Sequence, residues 1–181
     1  FDYLHVDKTA NYVELKANVS VSKNLLLANN NLVLGNFNLT LPNKTSIISA
    51  NTGSYITAIG TGQLIRQGID GTSDWIFPVG VLNTGRYAPI TIKSLSGTTE
   101  IGVRSSATFT PSVADLSKVI KTEWFVSSTN SITATIAPEW QTAELGASMG
   151  TLPATGEFGK SINGGLYSLQ TITVGTNSTE A

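Results

Sequence analysis

Six pairs of apolar residues, each split by one residue, recur through the first 41 positions: Leu4/Val6, Val13/Leu15, Val19/Val21, Leu25/Leu27, Leu32/Leu34 and Leu39/Leu41. Side chains alternate across an extended strand, so each pair encodes a short strand with two apolar groups on one face. Successive pairs begin 9, 6, 6, 7 and 7 residues apart, too close for helices between them. Every third pair returns after 21, 19 and 20 residues. A period near 20 made of three short strands is the pattern of a β-solenoid, and it predicts two coils within residues 1–50. The competing arrangement is a meander of hairpins. Asn and Gly crowd the links (Asn29, Asn30, Asn31, Gly35, Asn36, Asn38), as sharp corners require, because both tolerate left-handed backbone.

From about Thr52 the alternating segments lengthen: 55–59, 63–67, 74–79, 87–93, 100–107, 119–126, 131–137 and 166–174. Glycines and prolines fall between them, as at Gly60, Gly62, Gly68, Gly71, Gly80 and Pro138. Eight strands at that spacing predict an antiparallel β-sandwich over residues 51–181, packed on or continuing from the coils. One helical turn is expected at 112–117, capped by Ser112 with Asp115 in its first turn.

Composition excludes several function classes. Charged residues are 13% of the chain, half the usual share, and the net charge is −1. No basic block exists to track phosphates, so nucleic acid is not an expected partner. No apolar run approaches the ~18 residues of a membrane-spanning helix. Cysteine is absent, which removes disulfides, thiolate catalysis and Cys-ligated metals together. The chain starts at Phe1 without a basic-then-apolar leader, and two coils are too few to stand alone, so a module of a longer chain is expected.

No catalytic or metal constellation emerges, and neither enzyme activity nor a cofactor is expected. His5 is the sole histidine and alternates with Leu4 and Val6, which turns its ring outward. Asp70 and Asp74 flank the loop Asp70-Gly-Thr-Ser-Asp74, an Asp-Gly turn or a calcium donor lacking a third carboxylate. Glu139 and Glu144 beside Trp140, and Glu123 beside Trp124, lack a glycosidase spacing. Trp75 and Trp124 lie in apolar strands and are expected as core anchors. Trp140 sits among Pro138, Glu139, Gln141 and Glu144, and is the one candidate binding residue. Either it is an exposed contact for a sugar ring, or it plugs one end of the sandwich.

The stretches Phe1-Asp-Tyr-Leu-His-Val6, Asn31-Leu-Val-Leu-Gly-Asn36 and Asn38-Leu-Thr-Leu41 resemble the β-solenoid coils of very large surface proteins of Bacteroidetes. The following Gly62-Gln-Leu-Ile-Arg66, Phe77-Pro-Val-Gly80, Arg86-Tyr-Ala-Pro-Ile-Thr-Ile92 and Thr122-Glu-Trp-Phe125 are similar to the module that follows those coils. The resemblance covers roughly residues 1–126. It implies an adhesin-like repeat exported by type IX secretion to the outer cell surface, with no catalytic residues in the pattern. Its partners would be neighbouring modules of the same chain or filament, and surface glycans or proteins. A carbohydrate-binding module of a secreted polysaccharide-degrading protein is the alternative. Pro78 and Gly80 are expected to end a strand at a sandwich edge with Phe77 buried. Arg66 and Arg86 are expected to pin loops by bonding carbonyls or Asp74.

Overall fold

The structure, a computed structural model, describes residues 1–42, 45–82, 86–93, 96–97, 99–110 and 112–149, with the backbone of 155–160 and 168–173. Its first 69 residues wind through three turns of a β-solenoid. Coil one consists of β1 (Tyr3–Asp7), β2 (Val13–Glu14) and β3 (Val19–Ser20). Coil two consists of β4 (Asn24–Asn29), β5 (Leu32–Val33) and β6 (Leu39–Leu41). Coil three, which the spacing of apolar pairs does not predict, consists of β7 (Ser46–Ile48), β8 (Ile56–Thr57) and β9 (Leu64–Ile69).

Each strand pairs in parallel with its counterpart one coil on, giving three faces. The registers set Leu4 beside Leu25 and Leu25 beside Ile47. They set Val13 beside Leu32 and Leu32 beside Ile56, and Val19 beside Leu39 and Leu39 beside Leu64. The apolar pairs therefore stack into columns inside the coil. All six in coil two are buried, each such leucine stabilising by roughly 1.5–3 kcal/mol. One corner is held by Asn11, Asn30 and Ser49, 19 residues apart and all at φ of 62–64°. Asparagine tolerates that left-handed backbone; serine takes it at a cost.

Beyond coil three come β10 (Trp75–Phe77), β11 (Val79–Val81), β12 (Arg86–Tyr87), β13 (Ile90–Lys93), β14 (Thr99–Ser106), β15 (Glu123–Ser128) and β16 (Thr135–Pro138). The segment expected as a sandwich continues two solenoid faces. The second face runs β2-β5-β8-β11-β12 and the third β3-β6-β9-β14-β15. On the second face β11 is a fourth parallel rung and β12 turns antiparallel; on the third, β14 is antiparallel to β9. The first face stops at β7, and β10-β13-β16 form a separate antiparallel sheet. One buried cluster runs from Val6 to Val103 and so crosses position 50. The backbones of β17 (Thr155–Lys160) and β18 (Ser168–Thr173) form an antiparallel hairpin. The short 3-10 turn lies at Leu116–Lys118 and is capped by Asp115, whose carboxylate accepts from the Ser117 N–H, not by Ser112.

Arg66 closes the gap between β7 and β10. Its register partner in coil two is Leu41, so the residue enters the interior column. Its guanidinium donates to the Thr45 carbonyl (2.9 Å) and the Ile76 carbonyl (2.8 Å). It also lies 5.0 Å from the Trp75 ring centroid and 5.9 Å from that of Phe77. Burial pulls its pKa down to about 10.

Pro78 follows β10, an edge strand of the antiparallel sheet, and its carbonyl accepts from the Ile56 N–H (2.9 Å), so the Phe-Pro-Val-Gly segment ends an edge strand and leads into the second solenoid face. Phe77 is buried as expected. Gly80 is needed for close approach: a Cβ there would lie 2.4 Å from the Arg86 carbonyl and 2.5 Å from the Tyr55 ring.

Candidate docking surface at the open end of the solenoid

The two ends of the solenoid are built differently. At the far end β12 and β14–β15 lie over the last rungs. At the near end β1, β2 and β3 are each the terminal strand of their sheet. In parallel ladders alternate residues bond opposite neighbours. Val13, Leu15, Val19 and Val21 donate to the Asn31, Val33, Asn38 and Thr40 carbonyls of coil two (2.9–3.0 Å). The intervening Glu14 and Ser20 N–H groups therefore face away from coil two, and on that side the Ser20 carbonyl accepts from the Phe1 ammonium (2.8 Å). Three of the six inward side chains of coil one, Leu4, Val13 and Val19, are only partly buried.

A side-chain ladder runs beside the backbone ladder at the corner before the third face. The Asn18 side-chain carbonyl accepts from the Asn38 N–H (2.9 Å), and that of Asn38 accepts from the Gln63 N–H (3.0 Å). Each coil thus serves the next with one asparagine oxygen. The Asn18 N–H, the same position in coil one, has no partner among the described residues. Neighbouring corners repeat the device, with Asn31 accepting from Tyr55 N–H (3.1 Å) and Asn36 from Thr61 N–H (3.1 Å). The abundance of Asn at the links is visible in the sequence; its service to the next coil appears only with the register.

The rim of coil one carries balanced charge. Lys16 pairs with Glu14 (2.6 Å) and Lys23 with Asp2 (2.8 Å), both exposed. The Lys23 ammonium and the Ser22 hydroxyl hold the Asp2 carboxyl below the usual carboxylate range. Such exposed pairs stabilise little, because water screens them, and each cancels its own charge.

Residues singled out in the sequence fall elsewhere. Trp140 is 6% exposed and offers no open ring face, so it does not form the sugar-stacking platform expected of it as a contact residue. Trp75 is buried, with its indole N–H on the Asp70 carbonyl (3.0 Å). Trp124 packs against the core and donates to the Ala88 carbonyl (2.8 Å). His5 is exposed, with its ring nitrogen 4.0 Å from Asp7. The Asp70 carboxylate accepts from the Thr72 N–H (3.1 Å) and hydroxyl (2.6 Å), while Asp74 pairs with Lys93 (3.0 Å). Among the described residues no three His, Asp or Glu side chains gather as a metal would need.

Glu144 is the residue that sequence reasoning undervalued. It is 0% exposed, and its carboxylate accepts from the Thr122 hydroxyl and the Gln141 N–H (3.1 Å), with Arg86 Nε at 3.7 Å. Arg86 in turn donates to the Lys121 carbonyl (3.0 Å), so both arginines pin loops through carbonyls and neither reaches Asp74. Burial pushes the Glu144 carboxyl up, partly opposed by Thr122, Gln141 and Arg86. The group ties segment 141–149 to 117–122, where backbone bonds join Lys121 to Glu144 and Gly146 to Val119. It is a buried clamp with no access for a substrate.

No protein-family model, curated protein or solved structure matches the chain.

Proposed function

We propose that the chain is a non-catalytic structural and adhesive module of a long bacterial cell-surface protein or filament, acting outside the cell as spacer and contact surface. In this reading the coils are a stalk, and the antiparallel strands after β9 are its sandwich half. The observation that supports it is the stack of parallel coils around one apolar core, a repeat that lengthens a chain while presenting strand faces along its sides. Exposed strand edges favour pairing with further strands. A surface of hydroxyls and amides also makes contacts that salt screens little, which suits work outside the cell.

The test is an array of polysaccharides, glycans and extracellular proteins probed with the purified chain in 0.15 M and 1 M salt. The expected result is no release of reducing sugar, no saturable binding to a soluble sugar class, and association with protein surfaces that survives high salt. Sugar release would replace this reading with an enzyme. Saturable binding of one sugar class would replace it with the carbohydrate-binding module, working through residues other than Trp140.

A further inference from the structure

We propose that β10 is a displaced fourth rung of the first face, held off β7 by the Arg66 guanidinium, so that the solenoid wall carries a seam with two arrangements, wedged and docked. The inference goes beyond the spacer reading and does not depend on it. Chain order puts β10 in the place of that rung. It follows β9, the third-face strand of coil three, and one residue later the chain enters β11, the fourth parallel rung of the second face. Its side chains alternate as a rung requires, with Trp75 and Phe77 in the core and Ile76 outside, 52% exposed. Yet β10 pairs with β13, and among the described residues no backbone bond joins it to β7.

The groups that face each other across the seam are those of a parallel rung. The Ser46 N–H donates to the Lys23 carbonyl (3.1 Å), on the side of coil two. Alternate residues of a parallel ladder bond opposite neighbours, so the Thr45 carbonyl and the Ile47 N–H face the seam. On β10 the Ile76 carbonyl, bonded by Arg66, points away from β13, and the N–H of an extended residue points the same way as its carbonyl. Docking with Ile76 beside Ser46 would join the Ile76 N–H to the Thr45 carbonyl and the Ile47 N–H to the Ile76 carbonyl. Those are the two carbonyls that Arg66 holds (2.9 and 2.8 Å). Wedge and rung therefore compete for the same two acceptors. In the wedged arrangement the Ile47 and Ile76 N–H groups donate to no described residue. In the docked one the guanidinium loses both acceptors beside the Trp75 and Phe77 rings, where no described carboxylate pairs with it. Each arrangement leaves unmet polar groups that the other satisfies, so the balance turns on one side chain.

The test is Arg66→Leu in the full chain, which restores the leucine found at the matching position of coil two, Leu41, and removes the wedge. Amide exchange is read residue by residue. In the unaltered chain Ile47 and Ile76 should exchange at least tenfold faster than Ser46. In Arg66→Leu both should slow at least tenfold while Ser46 is unchanged. A second measurement exploits the absence of native cysteine. Ser46→Cys with Ile76→Cys sets two thiols side by side, within reach of a disulfide, only in the docked register. With Arg66 present the disulfide should form slowly under oxidant, as the seam closes transiently; with Arg66→Leu it should form at least tenfold faster. The inference is wrong if Ile47 and Ile76 are as protected as Ser46 in the unaltered chain, because other bonds then close the seam. It is also wrong if Arg66→Leu keeps native exchange in coil two while both amides stay fast. Should Arg66→Leu fail to fold, the cysteine pair decides in the chain that keeps Arg66. A disulfide that forms while coil two keeps native exchange supports docking, and one that never forms overturns it.

Discussion

Coils one and two carry the same six inward positions, one filled by valines and leucines and the other by leucines throughout. Coil two, with a neighbour on each side, shields all six from water. Coil one, with a neighbour on one side, shields Val6, Leu15 and Val21 and leaves Leu4, Val13 and Val19 partly wet. At the other end, coil three reaches burial at Ile56 and Leu64 because β11 and β14 lie against it. A rung is therefore stabilised by what lies beyond it as much as by its own sequence, as nearest-neighbour energetics of repeat folds require.

That contrast can be broken most severely at the capped end. Arg86→Leu should remove the cation facing buried Glu144 and cost about 3–5 kcal/mol at pH 7, read by urea unfolding. The carboxyl pKa is raised in the folded state, so the native protein binds the proton more tightly than the unfolded chain. The stability this contributes is full below the ordinary value of 4.5 and is lost as pH rises through the raised value. The Arg86→Leu defect should accordingly shrink below pH 4.5, where Glu144 is protonated. Glu144→Gln should flatten this part of the pH profile; an unchanged profile would show that another group governs it.

Next in size is a paired test of the coils. Leu27→Ala, in the fully buried column of coil two, should cost about 3 kcal/mol. Leu4→Ala, at the open end, should cost about 1 kcal/mol, since much of its surface is wet already. Equal losses would mean that the open end is as well packed as the middle. The smallest effect is expected at the corner that coil three shares with the others. Ser49→Gly should stabilise by about 0.5–1 kcal/mol by relieving backbone at φ 64°. Asn30→Gly, already at a tolerant residue, should gain less and loses the amide bond to the Lys8 carbonyl.

The sequence shows the first two coils plainly because their pairs are regular and wholly apolar. It hides the third for two physical reasons. The spacings stretch from about 20 to 22, 24 and 25 residues (Leu25 to Ile47, Leu32 to Ile56, Leu39 to Leu64), as longer corners are inserted. The second member of each pair also becomes Ser49, Ala58 or Arg66, which breaks the leucine pattern that marks coil two. Arg66 reads as a surface residue and is instead an interior plug, held by two carbonyls and two rings. Most strand positions after Thr52 were legible from alternation and glycine breaks, but β11, with Gly80 at its centre, and β17 were not. Their sharing of sheets with the solenoid was not, because pairing partners lie dozens of residues apart. Trp140 misled through its polar neighbours: Glu144, four positions on, is itself inside, hydrogen-bonded by Thr122 and Gln141 and faced by the Arg86 cation.

The reversal at β12 has a consequence for length. Parallel rungs are added on a face only while each new strand runs the same way, so the turn into β12 ends the parallel run of the second face after four of them. The rung count of that face is thus set within the chain's own sequence, as a ruler whose last mark is the strand that turns back.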